Sequence, residues 1–331
     1  MPDYHPTSLS FEENHERRAN SQQVTKYLSI LDWQLANSER GSLGGRHSTS
    51  ILVFIKRHPI ATYYVLVFAI SWGGVLAAIG PSRFLGTEPI FGAQFMYVIY
   101  LAPLVGPCLA GILSAGIVYG KAGLRDFRPR LLRWRVGVRW YAIALLTAPL
   151  LTTATLVALS LTPAIVTASD KVSLLVSGIA VGLVVPFFEE LGWTGFAVPE
   201  LRKRYGILTT GLIVGLLWGA WHFPLFSGSA TSSGALPPAL FLAVLLFSWL
   251  PPYRVLMVWV YDHTKSLIVV MLMHTPIVVG SFVLLPAGIS GAPVVTYDLI
   301  FAAALWVVVA VVFVAKEGTS RIESKEISRP T

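Results

Sequence analysis

Long uninterrupted apolar runs constrain this chain more than any other feature. Crossing ~30 Å of hydrocarbon takes about 20 residues of helix, and eight stretches of that order occur, near 60–80, 95–119, 140–161, 172–191, 207–226, 238–261, 266–285 and 297–315. In hydrocarbon every backbone N–H and C=O must be satisfied within the segment, so continuous runs predict helices, whereas a β-barrel would show alternating segments of about ten residues. The expected fold is an all-α, polytopic transmembrane helical bundle of about eight spans. With 54% hydrophobic and 13% charged residues among 331, a pair of ordinary soluble domains and a globally disordered chain are both excluded. So is a disulfide scaffold, because the single cysteine, Cys108, lies in an apolar run and reads as a buried structural thiol.

The net charge of +8 would suggest nucleic acid in a soluble protein, but here the cations fall between apolar runs, where they set topology instead. Lys121, Arg125, Arg128, Arg130, Arg133, Arg135 and Arg139 crowd the connection between the second and third runs, against one acid, Asp126. That 121–139 loop is expected on the cytoplasmic side, attracting anionic lipid and not nucleic acid. Lys56, Arg57, Arg202, Lys203, Arg204 and Lys265 fall on the same side, which puts both termini in the cytoplasm and fits a bacterial plasma membrane protein. Residues 1–50 read as a polar, largely flexible tail without a secretory signal, 51–316 as the membrane domain and 317–331 as a second tail. Within the first tail Val24, Tyr27, Leu28, Leu31 and Leu35 recur at helical spacing, the pattern of an interfacial amphipathic helix. Pro251, Pro252 and Arg254 interrupt the sixth run and predict a broken helix or re-entrant segment there. No internal repeat is visible, which weighs against a transporter.

Ionisable residues inside apolar runs are the informative ones, because each costs ~2.5–3.5 kcal/mol at mid-bilayer and so faces protein or water. Three places qualify. In VVPFFEELGWTGFAVPEL, Glu189 and Glu190 end the fourth run, and adjacent helical positions point about 100° apart, so one carboxylate can act while the other orients. In GLLWGAWHFPLF, His222 follows Trp218 and Trp221. In VVMLMHTPIVVG, His274 lies deep in the seventh run. Taken singly, the pair could reach headgroups and each histidine could be a satisfied core residue. Together they are what water activation inside a membrane requires: a carboxylate to deprotonate water, and imidazoles to hold that water, bind a metal or stabilise an oxyanion. HExxH is absent, so a zinc site would have to be assembled across helices.

EELGWTGF, then WGAWH, then an isolated membrane histidine resemble the CPBP family of intramembrane proteases, which includes CAAX prenyl endopeptidases of the Rce type and bacterial Abi proteins. The resemblance covers roughly 95–283. It implies that Glu189 is the water-activating base, Glu190 its neighbour, and His222 and His274 the positioning or metal-binding histidines. Three positions depart from the family pattern of EExxxR, FxxxH and HxxxN: Thr194 stands for the arginine, Trp218 for the phenylalanine and Val278 for the asparagine. Zn2+ at His222 and His274 and a metal-free glutamate mechanism both stay open.

The expectation is an intramembrane endopeptidase acting on a membrane-embedded or lipid-anchored protein or peptide, with Trp193, Thr194, Trp218 and Trp221 lining a water-filled chamber. An inactive immunity or scaffold protein of the same fold, which Thr194 and Val278 favour, and a proton-coupled transporter are the alternatives.

Overall fold

The structure is a computed structural model that describes residues 46–88, 102–286 and 288–327. The amphipathic stretch expected between Val24 and Leu35 lies outside them, as does the beginning of the second apolar run. The chain divides after Arg57. In the leading unit, helix α1 (Arg46–Arg57) carries Lys56 and Arg57 in its last turn, where cations suit the helix dipole. The unit from His58 onward contains α2 (Pro59–Phe84), α3 (Ala102–Leu131), α4 (Val138–Ala158), α5 (Lys171–Gly192), a π-helical turn (Trp193–Ala197) and α6 (Val198–Arg202). It continues with α7 (Ile207–Trp221), α8 (Pro238–Phe247), α9 (Leu250–Thr264), α10 (Leu267–Val283) and α11 (Gly291–Ile327). The described residues contain no strand.

By length and composition six helical stretches can cross a membrane: Pro59–Phe84, Leu104–Leu131, Val138–Ala158, Lys171–Arg202, Pro238–Thr264 and Gly291–Val314. Ile207–Trp221 and Phe223–Ser229, bent by 46°, make a seventh if the pair is one span. Among the described residues that makes six or seven spans, against about eight expected. The remaining run forms α10, 17 residues long, about 25 Å of helix and short of the ~20 residues an ordinary span needs.

The sixth run is broken as expected: α8 ends at Phe247, Ser248 and Trp249 lie outside any helix, and α9 begins at Leu250 with Pro251 and Pro252 in its first turn, where a missing N–H has no intrahelical partner to lose; the two helices count together as one span. A sharper bend lies in the fifth run, where His222 caps α7 and Pro224 follows and cannot continue the hydrogen-bond ladder. The basic connection is also only partly a loop. α3 runs on to Leu131 past a kink at Gly120 (φ 61°), leaving 132–137 non-helical.

Lipid gives helices little hydrophobic reason to associate, so small residues that allow close packing carry the contact. On α7, Gly211, Gly215 and Gly219 recur every fourth residue. A methyl on each would lie 2.5 Å from the Val255 Cα, 2.6 Å from the Pro251 Cα and 2.1 Å from the Leu246 carbonyl oxygen, respectively. α7 therefore lies directly on the α8–α9 span, the most enclosed of the six with 67% of its apolar window buried. Gly182 does the same for α5 against α10, where a methyl would be 2.5 Å from the Val279 side chain. Between α9 and α10 the turn takes two residues. Lys265 closes α9 in the left-handed region (φ 51°), and the Ser266 hydroxyl accepts from the Val269 N–H at 3.3 Å, the usual way to satisfy an exposed first-turn donor. These contacts bring α5, α7, α9 and α10 around one buried point.

Candidate active site

α5 runs into the π-helical turn Trp193–Ala197, a local widening of the kind that recurs at functional sites. The Gly195 carbonyl in that turn accepts from Arg130 Nη1 at 2.7 Å, and the same nitrogen donates to the Tyr261 hydroxyl at 3.0 Å. Part of the basic connection therefore holds the site from below. α3 presses on this segment closely: a methyl at Gly195 would lie 2.7 Å from the Phe127 ring, and one at Gly192 2.1 Å from the Pro107 carbonyl oxygen.

Glu189 and Glu190 are 3% and 0% exposed, so the reading in which they reach for headgroups is ruled out. They turn to different neighbours, as the 100° step between adjacent positions requires. Glu189 Oε2 accepts from the Trp218 indole N–H at 2.8 Å. Glu190 is held three ways. Arg254 Nη1 lies 3.0 and 2.8 Å from its two oxygens, the Thr194 hydroxyl donates to Oε2 at 2.5 Å, and His274 Nδ1 donates to Oε1 at 2.9 Å. Thr194, at the position where the family pattern has arginine, thus keeps a donor on the same carboxylate, while the cation comes from α9.

Trp218 is the hub. Its ring lies under the Arg254 guanidinium at 4.0 Å, and both imidazoles meet it edge-on, His222 at 5.3 Å and His274 at 5.1 Å between ring centroids. His274 touches Glu190 directly, whereas His222 joins the group only through this indole. His222 Nδ1 donates to the Trp218 carbonyl at 2.8 Å, which leaves Nε2 as its free acceptor. Trp193 and Trp221 are buried and meet at 5.9 Å. Val278 stands one turn beyond His274, partly exposed, with no donor to offer.

The acids and His274 form a packed centre. At the His222 end lies a cavity of about 10 Å³, lined by Ser71, Trp72, Val75, Trp221 and His222 among others and by neither glutamate; that is about the room one water needs. Among the described residues no three His, Cys, Asp or Glu side chains are grouped to hold a metal ion. Both Glu190 oxygens and the Nδ1 of each histidine are engaged, which leaves the two Nε2 atoms as the ring nitrogens open to a ligand.

Sequence reading missed Arg254. It is fully buried and lies in an apolar run, so the rule that singled out Glu189 and His274 applies to it equally. Its neighbours Pro251 and Pro252 drew it into an argument about helix breaks.

A multi-pass helical membrane protein with a buried glutamate pair, histidine and arginine at its centre is the class that the fold and site define. Residues 171–279 match the type II CAAX prenyl endopeptidase Rce1-like family. The matched segment contains Glu189, Glu190, His222, Arg254 and His274. A stretch of 94 residues is 29% identical to CAAX prenyl protease 2 of Methanococcus maripaludis, over 28% of this chain and 35% of that relative. The chain thus spans about a third of the length of the curated relative it matches.

Proposed function

We propose that the protein is an intramembrane endopeptidase that hydrolyses a peptide bond in a membrane-associated, prenylated protein or peptide. The observation that carries this reading is the division of labour between two adjacent buried carboxylates within the family-matched segment. Glu190 is fixed by Arg254, Thr194 and His274, whereas Glu189 has one neutral donor, Trp218, and an oxygen to spare. Glu189 takes a proton from water, and the resulting hydroxide adds to the scissile carbonyl carbon. As the C–N bond breaks, the same proton passes to the leaving nitrogen. His222 and His274 orient the water through their Nε2 atoms, and no step runs through a metal.

The exposed segment around Trp134, whose ring Arg135 covers at 5.0 Å, supports contact of the 121–139 region with anionic lipid on a cytoplasmic face. We place both termini on that face of a bacterial plasma membrane. Labelling of single cysteines introduced into the 132–137 connection tests the orientation.

The activity is tested with purified protein in nanodiscs and a farnesylated peptide ending in a CAAX sequence, with fragments read by mass spectrometry. Wild type should cleave it, and Glu189→Gln should reduce the rate by at least ~10². Equal rates for the two preparations, or no cleavage by either, would overturn the reading. The absence of a donor at Val278 favours the rival, an inactive scaffold of the same fold, for which neither preparation yields fragments.

A further inference from the structure

We infer that Arg130 is a positioning residue for the glutamate pair, acting through the backbone of the π-helical turn and not on substrate. This rests on the peptidase reading and adds to it a residue that lies outside the family-matched segment.

The need for it begins with Pro199. In an α-helix the Gly195 carbonyl would accept from the N–H four residues on, but that residue is Pro199, which has none. Gly195 is buried, and a buried carbonyl calls for another donor. Arg130 Nη1 supplies it at 2.7 Å. All three guanidinium nitrogens are engaged. Nη1 also donates to the Tyr261 hydroxyl at 3.0 Å, Nε donates to the Asp126 carbonyl oxygen at 3.0 Å, and Nη2 pairs with the Asp126 carboxylate at 2.8 Å. The side chain is only 13% exposed, so its planar group is held on both edges and has one orientation.

Tyr261 gives this contact its reach. It follows Arg254 by seven residues on α9, two turns and about 10 Å along the same face. Arg254 grips Glu190, and Tyr261 grips the arginine that grips Gly195, so one face of α9 pins the acid-bearing segment at both ends. Between those ends stands Thr194, whose hydroxyl donates to Glu190. A π-turn holds one residue more than an α-turn, and letting it relax would roll the end of α5 together with both carboxylates.

α9 is also the strut on which α7 lies, with Gly215 against the Pro251 backbone, and α7 carries Trp218, the donor to Glu189. Arg130 thereby refers Glu189 and its donor to a single helix. The effect on the chemistry follows, because a misplacement of about 1 Å at a reacting group can cost on the order of 10² in rate.

The test measures kcat and KM on the farnesylated CAAX peptide in nanodiscs, with thermal melting alongside, for wild type, Arg130→Met, Arg130→Met combined with Pro199→Ala, and Tyr261→Phe. Arg130→Met should lower kcat by about tenfold or more with KM within about twofold. Pro199→Ala gives Gly195 back an ordinary N–H partner, so the double variant should recover melting temperature but not kcat. Tyr261→Phe leaves Arg130 on Gly195 but unties it from α9, and should lower kcat by about threefold or more. An Arg130→Met kcat within about threefold of wild type overturns the inference, as does a double variant in which rate and melting recover together, since the arginine would then only satisfy a carbonyl. Should Arg130→Met not fold, Tyr261→Phe decides alone: a lowered kcat at unchanged melting supports the inference, and an unchanged kcat overturns it. All of these outcomes leave the peptidase reading standing, because in them wild type cleaves. No cleavage by wild type overturns that reading, and this inference with it.

Discussion

Arg254 and Glu190 are 64 residues apart in sequence and meet at the centre of the bundle, with Nη1 3.0 and 2.8 Å from the two carboxylate oxygens and neither side chain exposed. The cation that the family pattern places one helical turn after the acids is here delivered from another helix, and Thr194 fills the vacated position with a hydroxyl.

Removing one member of such a pair leaves the other as an unpaired buried charge. Arg254→Met should therefore destabilise the protein by about 3–5 kcal/mol, read as a lower melting temperature in detergent. Adding Glu190→Gln to it should recover most of that loss, because neither member of the pair is then left as an unpaired buried charge.

Trp218→Phe keeps a ring between the two imidazoles but deletes the N–H that donates to Glu189. Hydrogen bonds to charged groups contribute about 1.5–3 kcal/mol, so kcat on the prenylated peptide should drop by roughly tenfold or more, with KM little changed. A tenfold rise in KM at constant kcat would contradict the role given to Glu189.

At Gly195 an added methyl meets the Phe127 ring, whereas at Gly192 it meets a backbone carbonyl. Gly195→Ala should cost about 1–3 kcal/mol from overpacking, and Phe127→Ala should relieve it when the two are combined. Gly192→Ala should be worse and resist side-chain rescue, since helix α3 itself would have to move. Melting curves of the four variants check this.

Prolonged treatment with EDTA or 1,10-phenanthroline should leave peptide cleavage within about twofold of the untreated rate, as a step in which Glu189 alone deprotonates water requires. Loss of activity that Zn2+ restores would show instead that the site rearranges to take a metal.

Hydropathy is a local property, so the apolar runs could be read residue by residue, and each is mostly helical where described, with breaks at His222 and at Ser248–Trp249. What the runs did not show was which helices touch. That information was nevertheless present in part: Gly211, Gly215 and Gly219 mark the face of α7 that receives the α8–α9 span, and a four-residue glycine stripe is visible in the sequence. Glu189, Glu190 and His274 stood out because ionisable groups are costly in apolar surroundings. Arg254 obeyed the same rule and was overlooked beside two prolines. The bend after Trp221 is signalled by Pro224, but its 46° angle depends on tertiary packing and cannot be read from the sequence.

The two-residue turn at Lys265 and Ser266 places Arg254 and His274 on opposite arms of one hairpin, and both arms grip Glu190. Translation runs from the amino end, so α5 emerges carrying two acids while their counter-charge is still unmade. The pairing of Glu190 therefore waits for the hairpin, and a ribosome stalled before it would leave a membrane intermediate without the arginine that holds that carboxylate.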